Sequence, residues 1–328
     1  MFLSVGYAER MQLPSLERIR QAQESLRRYM PPTPQYTWPL LNERIGVETW
    51  IKHENHTPVG AFKIRGALLY MDSLKSAEPS LAGVVAATRG NHGQGVATAA
   101  RVMGVKSVIV VPRGNSREKN AAMSAQGAEL VEHGTDFQEA LEFARELAEE
   151  RGLRIVNSFD ERLVLGTATY ALELFEGAPP LERVYVPIGL GSSISGVCAA
   201  RNALGLSTEV IGVVSAHSPS YARSFAAREI VEAPAQTQIA DGLACRVPNA
   251  QAMEIIWQDV SRILEVTDEE VGSAMRAYYR DTHNVAEGAG AAALAGAMTE
   301  LQTGRIGIVL TGANVDREMY ADVLAGRI

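Results

Sequence analysis

The chain has 328 residues, enough for about two domains at roughly 100–200 residues each. Hydrophobic residues make up 46% and charged residues 21%, so a core can form without disulfides or a structural metal. Lys and Arg number 31 against 38 Asp and Glu; the net charge of −7 argues against a nucleic-acid partner, while one local pocket could still hold a small anion.

The opening residues, MFLSVGYAERMQLP, lack the basic region and long apolar run of a secretory leader. No stretch approaches the roughly 20 uninterrupted apolar residues of a membrane span, so no membrane partner is expected. A helix over 15–29 should end at Pro31-Pro32-Thr33-Pro34. Strands are predicted at 48–54, 84–88, 106–112, 128–133, 154–159, 183–188, 209–214 and 306–311. Several are nearly continuous Val/Ile runs, the pattern of strands covered on both faces. Helical patterns alternate with them. Over 135–151, Phe137, Leu141, Ala144 and Leu147 recur at helical spacing, with Thr135 and Asp136 as N-terminal capping groups. This β-then-α order predicts an α/β fold of mostly parallel sheets flanked by helices. No flexible linker divides the chain, which suggests two domains that exchange chain. Cys198 and Cys245 lie far apart and form no CxxC pattern; unpaired thiols in a reducing, cytoplasmic compartment are expected.

Four segments could carry chemistry. Lys63 follows a loop with Pro58 and Gly60 and stands between Phe62 and Ile64 at the start of a helical run. Such a setting can desolvate an amine and make it a nucleophile, although a solvated lysine fits the same local pattern. Residues 88–95, Thr-Arg-Gly-Asn-His-Gly-Gln-Gly, form a strand–turn–helix junction whose free backbone N–H groups suit a carboxylate or phosphate. His92 there has no second ligand at metal spacing, which favours a structural role at the helix start. Residues 189–196, Gly-Leu-Gly-Ser-Ser-Ile-Ser-Gly, make a second junction of this type. It is not a GxGxxG fingerprint, because Ile194 holds the third glycine's place. The next strand also ends in Val213-Val214-Ser215, without the acidic residue a nicotinamide site needs. Thr311, at the end of the last strand, would sit at the carboxyl edge of the sheet, where open α/β folds bind ligands. The runs Ile239–Ala244 and Glu287–Ala292 are ambiguous alone; the small residues of the second suit tight helix packing.

Together, in this order, these segments resemble the fold-type-II pyridoxal-5′-phosphate enzymes, closest to the serine/threonine dehydratases, threonine ammonia-lyases and serine racemases. The family's (S/A)FKxRGA motif is matched by Ala61 to Ala67 and its SxGNHGQ loop from Gly90 to Gln94. Its phosphate loop is matched by Gly189 to Gly196, its ADGLA segment by Ala240 to Ala244, and its SGxN terminus by Thr311 to Asn314. The resemblance implies a two-domain, tryptophan synthase β-like fold. Residues 1–75 and 159–328 would form the large cofactor-binding domain and 76–158 the small one. Its cofactor would be pyridoxal 5′-phosphate, with Lys63 the covalent anchor and catalytic base and Phe62 beside the pyridine ring. Asn91 would bond the phenolic oxygen. Gly189, Leu190, Gly191, Ser192 and Ser193 would wrap the phosphate, and Thr311 would face the pyridine nitrogen. Thr88, Arg89, Gly90, Asn91 and His92 would hold the carboxylate of a small amino-acid substrate.

The implied reaction removes the α-proton and β-hydroxyl of a 3-hydroxy amino acid, leaving a 2-oxo acid and ammonia. Threonine, serine, 3-hydroxyaspartate and 3-phenylserine all qualify. The chain departs from the family at Leu190 and Ser192, where glycines often run; serine hydroxyls could compensate. Arg89 replaces the serine that serine racemases carry, which counts against racemisation. Val214 and Ser215 replace the acidic metal ligand of several relatives, so no metal is expected. Family analogy admits a homodimer. The competing readings are a racemase or β-replacement synthase, a catalytically idle relative, and a nucleotide-binding protein using the Gly189 loop.

Overall fold

The computed structural model describes residues 11–328; residues 1–10, most of the opening segment read for a secretory leader, lie outside the described residues. Ten strands run in chain order: β1 Gln35–Thr37, β2 Thr49–His53, β3 Val84–Ala87, β4 Ser107–Val111, β5 Glu129–Glu132, β6 Arg154–Ile155, β7 Arg183–Pro187, β8 Glu209–Ser215, β9 Arg262–Val266 and β10 Ile306–Leu310. Around them lie α1 Leu16–Arg27, α2 Pro39–Ile45, α3 Lys63–Ala77, α4 Asn91–Val102, α5 Arg117–Ala125, α6 Phe137–Arg151, α7 Glu161–Gly177, α8 Ser192–Ala203, α9 Ser220–Ala227, α10 Ala250–Asp259, α11 Asp268–Thr282, α12 Gly288–Met298 and α13 Arg317–Leu324.

The strands form two sheets. One has the order β1-β2-β10-β7-β8-β9, the other β5-β4-β3-β6. Every pairing is parallel except β1 against β2. Buried central strands such as β3, β4 and β10 carry only apolar or small residues, as sheets covered on both faces require. The four-stranded sheet uses only chain between residues 84 and 155, while the six-stranded sheet takes strands from both sides of that stretch.

All eight sequence-predicted strands are present, with one cut short. Only Arg154–Ile155 of the expected 154–159 is strand. Val156 adds one more bond to Val85, and then the chain turns to cap α7 with Asp160. Two strands were not anticipated. β1 is three residues long, and β9 carries Arg262 and Glu265; both are sheet edges, half-exposed and without an apolar run.

Helix starts follow their sequence signals. Ser15, Asp136 and Asp160 accept backbone N–H bonds at their helix starts, and Thr267 with Glu270 forms a full capping box. α12 is buried on every side. Its glycines let it lie directly on the sheet: a Cβ on Gly290 would come within 2.4 Å of the Gly312 carbonyl oxygen. Among the described residues no helix is long and apolar enough to cross a membrane.

Candidate active site

The carboxyl ends of β3, β7 and β10 open onto one cavity of about 490 Å³ between the two sheets. It brings together every site residue read from the sequence: Phe62, Lys63, Thr88, Arg89, Gly90, Asn91, His92, Gly189, Leu190, Gly191, Ser192, Ser193 and Thr311.

Lys63 is the first residue of α3, and the loop before it is tightly tied. The Thr57 hydroxyl donates to the Ala61 carbonyl at 2.8 Å and accepts from the Ala61 N–H at 2.9 Å. Gly60 takes a left-handed φ of 67°, a conformation that favours glycine. The Phe62 N–H donates to the Thr311 carbonyl at 3.0 Å, and the Ala313 N–H to the Gly60 carbonyl at 2.9 Å. These bonds carry the lysine to the end of β10. Two residues on, the buried Arg65 guanidinium fixes the first turn of α3. It donates to Glu54 at 2.8 and 3.0 Å and to both oxygens of Glu173 at 2.8 Å. Lys52 Nζ meets Glu173 at 2.6 Å, so the cluster holds two acids and two bases. Both Glu54 oxygens are thereby taken by Arg65.

Lys63 Nζ lies 4.8 Å from the centroid of the Phe62 ring. Burial lowers its amine to about 8, against the opposing charge of Glu287. About a tenth is therefore neutral at pH 7, far more than for a solvated lysine, and the neutral amine is the form that attacks a carbonyl or takes a proton.

The loop before α8 is shaped by contact. Gly191 has φ 95°, and a Cβ on Gly189 would lie 2.4 Å from the Gly242 carbonyl oxygen. The N–H groups of the first turn of α8 have no partners inside the helix, so the cradle suits a phosphate. Its serines differ from expectation. Ser193 Oγ is 2.6 Å from the hydroxyl of buried Tyr170, so it is engaged inside the protein instead of standing free to replace a glycine. The Ser192 carbonyl accepts from Thr167 Oγ1 at 2.6 Å. Thr311 is 3% exposed, and its hydroxyl has no hydrogen-bond partner among the described residues.

The β3–α4 junction is built similarly. Thr88 Oγ1 accepts from the Gly90 N–H at 3.0 Å and so shapes the turn. Asn91 opens α4; its Nδ2 donates to Glu287 at 2.6 Å and its Oδ1 accepts from Asn314 at 2.8 Å. His92 is buried with Nε2 3.4 Å from the Val156 carbonyl; burial and then the Lys63 charge lower it to about 4, so it is neutral. Arg89 is exposed at the rim, with no ion pair among the described residues. No group of three or more His, Cys, Asp and Glu among the described residues is placed to hold a metal ion.

Three lining residues escaped the sequence analysis. Lys119 reaches from α5 to Asp241 at 2.5 Å, and Glu287 stands behind Asn91. Asp241 and Glu287 lie in the two runs found ambiguous alone; nothing local marks Lys119.

A family model for pyridoxal-phosphate dependent enzymes matches residues 26–312. The chain belongs to that family. It is 35% identical over 313 residues to an L-threonine ammonia-lyase of Thermotoga maritima, covering 94% of this chain and 78% of that protein. It is also 35% identical to an L-threo-3-hydroxyaspartate ammonia-lyase of a Pseudomonas species, covering 96% and 100%. Among solved structures, maize serine racemase superposes with a TM-score of 0.89 at 27% identity, over 96% of this chain and 98% of that one. The fold is that of the fold-type-II members, and the chain is a pyridoxal-phosphate dependent lyase. The residues fit the cofactor. A buried amine of lowered pKa, an aromatic face, an unpartnered hydroxyl and a glycine-shaped N–H cradle converge on one cavity.

Proposed function

We propose that this lyase removes water and ammonia from a 3-hydroxy amino acid of the threonine or serine type to give a 2-oxo acid. The observation that carries the reading is the setting of Lys63. A buried amine with its pKa near 8 shares a cavity with two helix N-termini, those of α4 and α8. Bound pyridoxal 5′-phosphate supplies an electron sink for the charge left at the α-carbon. The chain supplies the rest. Lys63 anchors the cofactor and, once released, removes the α-proton. Phe62 packs against the ring. The loop Gly189–Ser193 holds the phosphate through backbone N–H groups. Thr311 offers the pyridine nitrogen a neutral hydroxyl, and Asn91 donates to the phenolic oxygen. The turn Thr88–His92 takes the substrate carboxylate, with Arg89 adding charge at the rim.

A racemase would need a proton donor on the face opposite Lys63. Arg89 stands where a hydroxyl would serve, and a guanidinium holds its protons too tightly. Residues 76–158 form the small domain in this reading, and 1–75 with 159–328 the large one. Two buried free thiols, Cys198 and Cys245, accord with a cytoplasmic setting. A homodimer is the assembly family analogy offers.

A panel of threonine, serine, 3-hydroxyaspartate and 3-phenylserine, assayed for ammonia and 2-oxo acid, tests the proposal. Wild type should release both in equal amounts from at least one compound, without interconverting its L and D forms. Lys63→Ala should release neither and lose the visible absorbance of the lysine-bound cofactor. Racemisation as fast as elimination, or an active Lys63→Ala, would refute the reading.

A further inference from the structure

A side-chain amide must be oriented, because its oxygen only accepts and its nitrogen only donates. At Asn91 both sides are determined. Asn314 Nδ2 donates to the Val59 carbonyl at 2.9 Å and to Asn91 Oδ1 at 2.8 Å. Held by that backbone oxygen, Asn314 can present Asn91 only with N–H. On the other side Glu287, 4% exposed, accepts from Asn91 Nδ2 at 2.6 Å. An ionised carboxylate presents only oxygen. Turning the Asn91 amide over would set nitrogen against nitrogen and oxygen against carboxylate. One N–H of Asn91 is left over, on a residue that lines the cavity.

Glycine makes room for this relay. A Cβ on Gly312 would lie 2.4 Å from Glu287 Oε1, and one on Gly60 would lie 3.1 Å from Asn314 Oδ1. The backbone N–H of Glu287 donates to the Gly312 carbonyl at 3.0 Å, fixing the carboxylate from behind.

We propose that Glu287 is a positioning residue for the reaction: with Asn314 it locks the Asn91 amide so that its free N–H serves the cofactor. The inference rests on the reading of Asn91 as a cofactor ligand. The charged groups facing Glu287 are Lys119 from α5, Asp241 from the turn before α10, and Lys63 from α3. Burial raises the carboxyl to about 7; Lys119 opposes the rise, Asp241 adds to it, and the Asn91 bond and Lys63 oppose it. Below that pH Glu287 gains an O–H, can donate as well as accept, and no longer dictates the amide's orientation.

The test compares Asn91→Ala, Glu287→Met and Glu287→Gln as purified holoenzymes and as apoproteins titrated with pyridoxal 5′-phosphate. Glu287→Met should weaken cofactor binding roughly ten- to hundredfold, the loss expected of a hydrogen bond to a charged group. It should also shift the visible band and lower kcat while KM stays close to wild type. Glu287→Gln keeps an acceptor and cannot ionise. It should restore most of the affinity and abolish an acid limb near pH 7 in the kcat profile. A residue that only stabilised the fold would lower Tm and leave the band and the pH profile in place. If Asn91→Ala loses affinity while both Glu287 variants match wild type, the relay is wrong and the Asn91 reading stands. If Asn91→Ala itself binds cofactor normally, both fall. Should Glu287→Met fail to fold, Glu287→Gln decides alone, and an unchanged acid limb overturns the proposal.

Discussion

An amine is a nucleophile only while it is neutral, and Lys63 owes that state to burial. Its pKa is lowered to about 8 from an ordinary value above 10. The consequence is measurable in the cofactor-free protein. The rate of capture of pyridoxal 5′-phosphate should rise with pH and level off above an apparent midpoint near 8, read by stopped-flow absorbance. A midpoint near 10 would mean that the amine is solvated. Lys63, Asn91 and Thr311 could be singled out in the sequence because each lies in a short motif that resembles the family's; the local pattern alone left Lys63 open to being a solvated lysine. Glu287 and Lys119 could not, because each reaches the cavity by packing against residues distant in sequence. Nothing in Arg117-Glu118-Lys119 shows that Lys119 will span to Asp241.

Among the elements, α7 acts as a spacer. It lies between α3, which begins at Lys63, and α8, which begins at the Gly189–Ser193 loop, and it touches both backbone to backbone. A Cβ on Gly166 would fall 2.4 Å from the Gly66 Cα, and one on Gly196 would fall 2.6 Å from the Ala168 nitrogen. Thr167 and Tyr170 of α7 bond the start of α8, while Thr169 and Glu173 bond Arg65 of α3. Gly166→Ala should therefore act on two levels. It should destabilise the protein by about 1–3 kcal/mol, the usual cost of overpacking, and it should weaken cofactor binding by parting lysine and loop. Thermal melts and cofactor titration would check it; unchanged values in both would mean the helices separate freely. The sequence announced the helices that flank α7 through their motifs. It did not announce the spacing, since a glycine in a helix reads the same whether it faces solvent or another backbone.

For the molecule as a whole, stability should depend on pH with two opposing signs. Glu173, Asp281 and Glu300 are held below the ordinary carboxylate value by Arg65, Arg44 and Arg262, although burial alone would raise each. A carboxylate with a lower pKa folded than unfolded stabilises above the unfolded value, about 4, and loses that contribution as pH falls through the folded one. Glu287 works the other way: raised to about 7, it costs stability as pH climbs from about 4 toward 7. Buried His53 and His92, both lowered to about 4, act with the paired carboxylates, since the unfolded chain binds their protons first as pH falls below about 6.5. The Tm of the cofactor-free protein should therefore fall steeply under acid, and the Tm of Glu287→Gln relative to wild type should rise as pH climbs from about 4 to about 7; a relative Tm that does not change with pH would contradict the assignment of Glu287.

β10 is the last strand in the chain, yet it lies inside the six-stranded sheet, between β2 and β7. Until it inserts, β2 and β7 have no bridge, and the loop bearing Lys63 lacks the Thr311 carbonyl that it is tied to. Contacts of such long sequence separation form late, because closing a long loop costs entropy before the contact repays it. A growing chain therefore carries Lys63 and the Gly189–Ser193 loop well before β10 can draw them together. Capture of the cofactor would then report that β10 has taken its place between β2 and β7.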